Sequence, residues 1–121
     1  MTHQFNVEIA QQFGILEAVI IQHLHFWILK NEANDLNYFE GEYWTYNSIK
    51  AFADIFPYAS QRQIHYALEK LIKEGILKTG HFNKKGYDRT LWYTFTKKGH
   101  TILQNCKMEF TKMENASYEI V

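Results

Sequence analysis

Arg62 and Gln63 stand just after Ser60, at the head of a run in which Ile64, Leu68, Leu71 and Ile72 recur at helical spacing. Arginine can grip the two acceptors of a guanine edge, and glutamine the acceptor and donor of an adenine. A helix that opens with both carries base-reading groups in its first turn. Ser60, Gln61, Tyr66 and Lys70 share its outward side, and the hydroxyls and the ammonium suit phosphate oxygens. Further along, Lys84 and Lys85 lie between Asn83 and Gly86, two turn formers. Two point charges at a thin tip are suited to phosphate contact rather than to reading bases. Asp88 and Arg89 follow, expected chiefly to hold that hairpin, with Arg89 also a candidate for a phosphate. Alone, these side chains could equally coat a solvated surface. The elements that hold them argue for nucleic-acid chemistry.

Ile49, Phe52, Ala53 and Phe56 mark one face of a helix that Pro57 must end, since proline cannot donate the next backbone bond. Ser60 caps a second helix after a short turn, and Gly75 closes it in a left-handed conformation. Ile76 and Leu77 begin an extended run that turns through residues 83–86 and returns over residues 91–95, rich in aromatic and β-branched types. Helix, turn, helix and hairpin in that order predict an α+β fold, a mostly helical winged helix-turn-helix with a small antiparallel sheet and a C-terminal helix.

The support elements come first. Residues 6–13 predict a short helix broken at Gly14, and Leu16, Ile20, Leu24, Trp27 and Ile28 define the face of a longer one over residues 15–29, widened by Val19 and Phe26. A polar, acidic loop is expected over residues 31–37. Glu40-Gly41 then forms a turn between Tyr38-Phe39 and Tyr43-Trp44-Thr45, the natural third strand beside the hairpin. Thr96 caps the last helix, where Leu103, Cys106, Phe110 and Met113 follow a 3-4-3 spacing that predicts a homodimer seam made by this helix and the one over residues 15–29. The same stripe also suits packing on the chain's own first helix. One domain over residues 1–121 is expected, divided into support (1–42), helix-turn-helix with wing (43–96) and C-terminal helix and tail (97–121).

Thirteen basic and thirteen acidic residues cancel, yet they are not evenly spread. Residues 1–59 hold seven acids and two bases, −5, whereas residues 60–100 hold nine bases and three acids, +6. A basic head on an acidic scaffold can meet a polyanion while the molecule stays neutral. Twenty aromatic residues provide a core for a chain of this length. The single cysteine, Cys106, excludes an internal disulfide and fits a reducing, cytoplasmic setting as a small packing residue. Residues 15–29 are too interrupted by polar groups to span a bilayer, so no membrane association is expected. His23 and His25 point to different sides of one helix and no other ligand falls at chelating distance, so no metal is expected. Without a glycine-rich phosphate loop, a nucleophile motif or a carboxylate pair, the sequence predicts a non-enzyme that needs no cofactor.

Several stretches together carry a family likeness: Gly41-Glu42-Tyr43-Trp44, Phe56-Pro57-Tyr58-Ala59-Ser60, residues 68–75, residues 83–90 and Trp92-Tyr93. Over residues 6–96 the chain resembles the winged-helix N-terminal domain of replication initiators from phages and plasmids of Gram-positive bacteria, the replisome organisers. The resemblance implies binding to double-stranded origin DNA through residues 60–66 and the wing. An alternative expectation is a winged-helix module that has exchanged DNA for a protein, such as a replication or host partner.

Overall fold

A computed structural model describes residues 1–107 of the chain. Ten elements follow one another: α1 (Val7–Phe13), α2 (Ile15–Ala33), β1 (Tyr38–Phe39), β2 (Glu42–Tyr43), β3 (Thr45–Tyr46), α3 (Ile49–Ile55), α4 (Gln61–Lys73), β4 (Leu77–Gly80), β5 (Trp92–Phe95) and α5 (Lys97–Asn105). The architecture is α+β: helices around a three-stranded antiparallel sheet in the order β3-β5-β4, with a separate β1-β2 ribbon.

Local chemistry sets most boundaries. Asn6 caps α1 by accepting from Ile9 N at 3.0 Å. Glu40 and Gly41 both adopt positive φ, the geometry a two-residue hairpin loop requires, and pair Phe39 with Glu42. Ser48 caps α3 and Thr96 caps α5, each accepting a backbone N–H from the helix's first turn. At the end of α4, Gly75 has φ +77°, Ile76 N donates to Leu71 O at 2.9 Å and Gly75 N to Ile72 O at 3.0 Å. That pair of bonds is a Schellman motif, and the left-handed residue at its centre favours glycine.

Gly99 answers a different need. A Cβ there would lie 2.3 Å from Ile76 O, so the first turn of α5 lies against the entry to β4 only because that position lacks a side chain.

The core runs through all five helices and both long strands. Ile9, Ile20, Leu24, Phe52, Phe56, Ile64, Leu71 and Phe95 are wholly buried in one cluster. The sheet meets it through Tyr93, which pairs with Thr45 on one side and Thr79 on the other.

Four expectations need correction. Helix α2 continues to Ala33, so the loop before β1 is shorter than residues 31–37; Asn31 is buried and donates to Trp44 O at 2.8 Å. Trp27 and Phe26 belong to the partly open side of α2, and Trp27 is 37% exposed. Because α2 is enclosed on most of its circumference, Ala18, Ile21 and His25 take the buried places instead. The β4–β5 ladder ends at Gly80 and Trp92, so residues 81–91 form a long loop rather than a tight turn at 83–86. Finally, Leu103 and Cys106 are 4% and 8% exposed within the chain's own core, and Asn6 Nδ2 donates to Cys106 O at 3.0 Å. They are used up by intrachain packing and are not free to form a dimer seam. Phe110 and Met113, assigned to the same seam, lie outside the described residues. Among the described residues no helix is long and apolar enough to cross a membrane.

Candidate nucleic-acid interface

Helix α4 follows α3 across residues 56–60, and its start is held by a reciprocal pair of bonds. Gln63 N donates to Ser60 Oγ at 3.1 Å, and Ser60 N donates to Gln63 Oε1 at 2.8 Å. This is a capping box. It corrects the sequence assignment of Gln63. Bidentate reading of adenine needs both the oxygen and the nitrogen of the carboxamide, and the oxygen is already committed to the cap. Ser60 Oγ accepts at the helix start, and its O–H is left to donate to a phosphate. Gln61, Arg62, His65 and Tyr66 are exposed, Tyr66 at 71%, and Arg62 enters no ion pair among the described residues.

Lys70 is also reassigned. Its Nζ donates to Phe13 O at 2.6 Å and lies 3.6 Å from the carboxylate of Glu17, which is itself buried. The ammonium satisfies a carbonyl at the end of α1 and offsets a carboxylate that would otherwise be buried unpaired. A helical projection of α4 alone turns Lys70 outward, but the junction of α1 and α2 reaches that flank. Leu16, Glu17, Arg62, Gln63 and Tyr66 enclose a recess of about 360 Å³ there.

The loop over residues 81–91 is built around Asn83. Its Nδ2 donates to Asp88 O and Thr90 O, both at 2.9 Å, while its Oδ1 accepts from Trp92 Nε1 at 2.8 Å. Every strong hydrogen-bonding group of that side chain faces inward, so Asn83 shapes the loop and does not project from it. Asp88 Oδ1 accepts from Thr90 N at 3.0 Å, and Asp88 N donates to Lys85 O at 3.0 Å. The bond from Thr90 holds the Asp88 carboxyl below its usual pKa. Asp88 thus holds the loop through bonds to backbone, and no ion pair joins it to Arg89 among the described residues. At the base, Phe82 stacks on Phe39 with centroids 4.6 Å apart and meets Trp44 and Trp92 edge-on.

Lys84, Lys85 and Arg89 are therefore carried, exposed, on a braced frame. Lys85 Nζ lies 5.8 Å from the centroid of Tyr87. Elsewhere in the basic segment, Lys78 pairs with Glu42, and Lys98 donates to Glu74 O. The acidic scaffold thus neutralises two of the nine cations, Lys70 and Lys78, through contacts between distant parts of the sequence.

Replacing Asn83 by alanine removes the acceptor of Trp92 Nε1 and two donors to the loop backbone. The expected cost is about 1–3 kcal/mol in chemical denaturation, with residues 81–91 becoming the first site of proteolytic nicking. Lys84→Ala, which touches none of these bonds, should stay within about 0.5 kcal/mol of wild type. Equal stability of the two variants would contradict the assignment.

A second concavity, not foreseen from any motif, lies between the N-terminal segment, α2 and β3. Its residues come from separate elements and share no spacing. Among the described residues no three His, Cys, Asp or Glu side chains gather as metal ligands. No protein-family model, curated protein or solved structure matches the chain.

Proposed function

We propose that the chain is a winged helix-turn-helix protein that binds double-stranded DNA, with α4 in the major groove and the 81–91 loop resting on phosphates. Its setting in this reading is an origin or operator-like site of a phage or plasmid, in replication initiation or its regulation, without chemistry of its own. The observation that carries it is Arg62, exposed and without an ion pair among the described residues, in the capped first turn of a helix that follows a helix-turn corner and precedes a lysine-bearing loop. Arginine in that place reaches guanine. Gln61 and Tyr66 flank it, and Lys84, Lys85 and Arg89 supply charge for the backbone. A homodimer would set two α4 helices about 34–36 Å apart, one DNA turn. Leu103 and Cys106 are spent on the chain's own core, so the open side of α2, with Ile15 and Trp27, together with Phe110 and Met113 remain its proposed contacts.

A second reading is favoured by one observation. The outward side of α4 carries the largely exposed Tyr66 beside Leu16 and the carboxylate of Glu17, a surface suited to a replication or host protein as well as to DNA.

Paired variants separate the two. With Lys84 and Lys85 both changed to alanine, binding should weaken alike on every duplex, and the salt slope should flatten by roughly two units. Arg62→Ala should cost about 1–3 kcal/mol on a preferred site and little on random DNA. Titration of each variant against specific and random duplexes at several salt concentrations checks both. Unchanged affinity and slope in both variants would exclude these residues from a DNA interface.

A further inference from the structure

The groove between the N-terminal segment, α2 and β3 has a volume of about 600 Å³, within the range that encloses small molecules. Three partly open rings, Phe26, Trp27 and Tyr46, line it. Between them lie two carboxamides, Asn37 and Asn47, that form no side-chain hydrogen bond among the described residues. His23 completes the polar set: its Nε2 is buried without a hydrogen-bond partner. Burial, with His3 adding repulsion, lowers its pKa to about 4, so the imidazole is neutral near pH 7. No Asp, Glu, Lys or Arg lines the groove.

That lining selects a chemistry. Rings favour a flat π-face. A free carboxamide offers a donor and an acceptor side by side, and a neutral imidazole one more of either. A wholly apolar occupant would bury all three groups unsatisfied, each at a cost of about 1–3 kcal/mol. The cations beside the groove, the Met1 α-amino group in the lining and Lys30 Nζ 4.8 Å from the centroid of Trp27, lie at its rim and would meet a phosphate only as an addition to the ring and carboxamide contacts. A planar heterocycle with amide-like edges meets every requirement: it stacks on the rings while its edge bonds to Asn37, Asn47 and His23. We propose that this groove is a binding site for a nucleobase or nucleoside. The inference is independent of the DNA-binding reading, because none of its residues lies on α4 or in the 81–91 loop.

The test is a titration of the ¹⁵N-labelled full chain with adenosine, guanosine, cytidine and thymidine, with adenosine monophosphate and toluene as comparison arms. Saturable shifts at His23, Trp27, Asn37 and Asn47 are expected with at least one nucleoside. Trp27→Ala and Asn47→Leu, each at a partly open position, should separately weaken that nucleoside by about tenfold. The monophosphate should bind at least as tightly as adenosine, because the base carries the contacts and the nearest cations are the Met1 α-amino group and Lys30. Absence of saturable shifts with all four nucleosides would overturn the proposal. So would toluene binding as tightly as the best nucleoside, shifts confined to α4 and the 81–91 loop, or unchanged affinity in both variants.

Discussion

Leu68→Ala is expected to lower the free energy of unfolding by about 2–5 kcal/mol, the cost of a buried leucine lost from a packed interior. Leu68 is 2% exposed, and its neighbours on the inner face of α4, Ile64 and Leu71, are wholly buried in the cluster that contains Phe52, Phe56 and the inner residues of α2. These side chains come from three helices packed in one cluster, so little collapse can refill the space. Urea denaturation measures the effect, and the midpoint should fall with no change in slope. Tyr66→Ala, on the exposed side of the same helix, should shift stability by no more than about 0.5 kcal/mol. A loss below about 1 kcal/mol for Leu68→Ala would mean that α4 is not seated as described.

Acidification should remove a comparable increment through a single imidazole. His23 sits among the rings of Trp27, Phe52 and Phe56, and its burial lowers the pKa from 6.5 to about 4. Between those two values the unfolded chain binds a proton at His23 that the folded chain refuses. The stabilising contribution is thus complete above pH 6.5 and is lost as the pH falls toward 4. Its size is on the order of 3 kcal/mol, from the interval between the two pKa values. The remaining carboxylates and histidines titrate too, so the informative quantity is the difference between wild type and His23→Phe. That difference should change across the interval and level off above it. A flat difference would contradict a neutral, buried His23.

Local signals made the helix boundaries of residues 43–96 legible in the sequence. Ser60, Gly75 and Thr96 each act through bonds to backbone groups a few residues away, and the side chains themselves announce that geometry. Gln63 belongs with them, since Ser60-x-x-Gln63 is a capping-box pattern; the glutamine's identity pointed to the cap as clearly as to a base. What could not be read depends on distance along the chain. Lys70 meets Glu17 and Phe13 only because α4 packs beside the α1–α2 junction, and Asn83 reaches Trp92 only once the loop has closed. Helix α2 misled for another reason: a helix enclosed on most sides carries no single apolar stripe, so the period does not reveal which aromatic stays open. Leu103 and Cys106 fit either a partner or the chain's own core, and spacing alone cannot separate the two.

Binding of the unmodified protein to a random DNA duplex across a series of salt concentrations tests the central claim most directly. Lys84, Lys85 and Arg89 resting on phosphates predict measurable affinity at low salt, with log K falling linearly against log salt at a slope of roughly −2 to −3 per chain. A well-folded protein that fails to bind the duplex even at the lowest salt would contradict it and would favour a protein as the partner of α4.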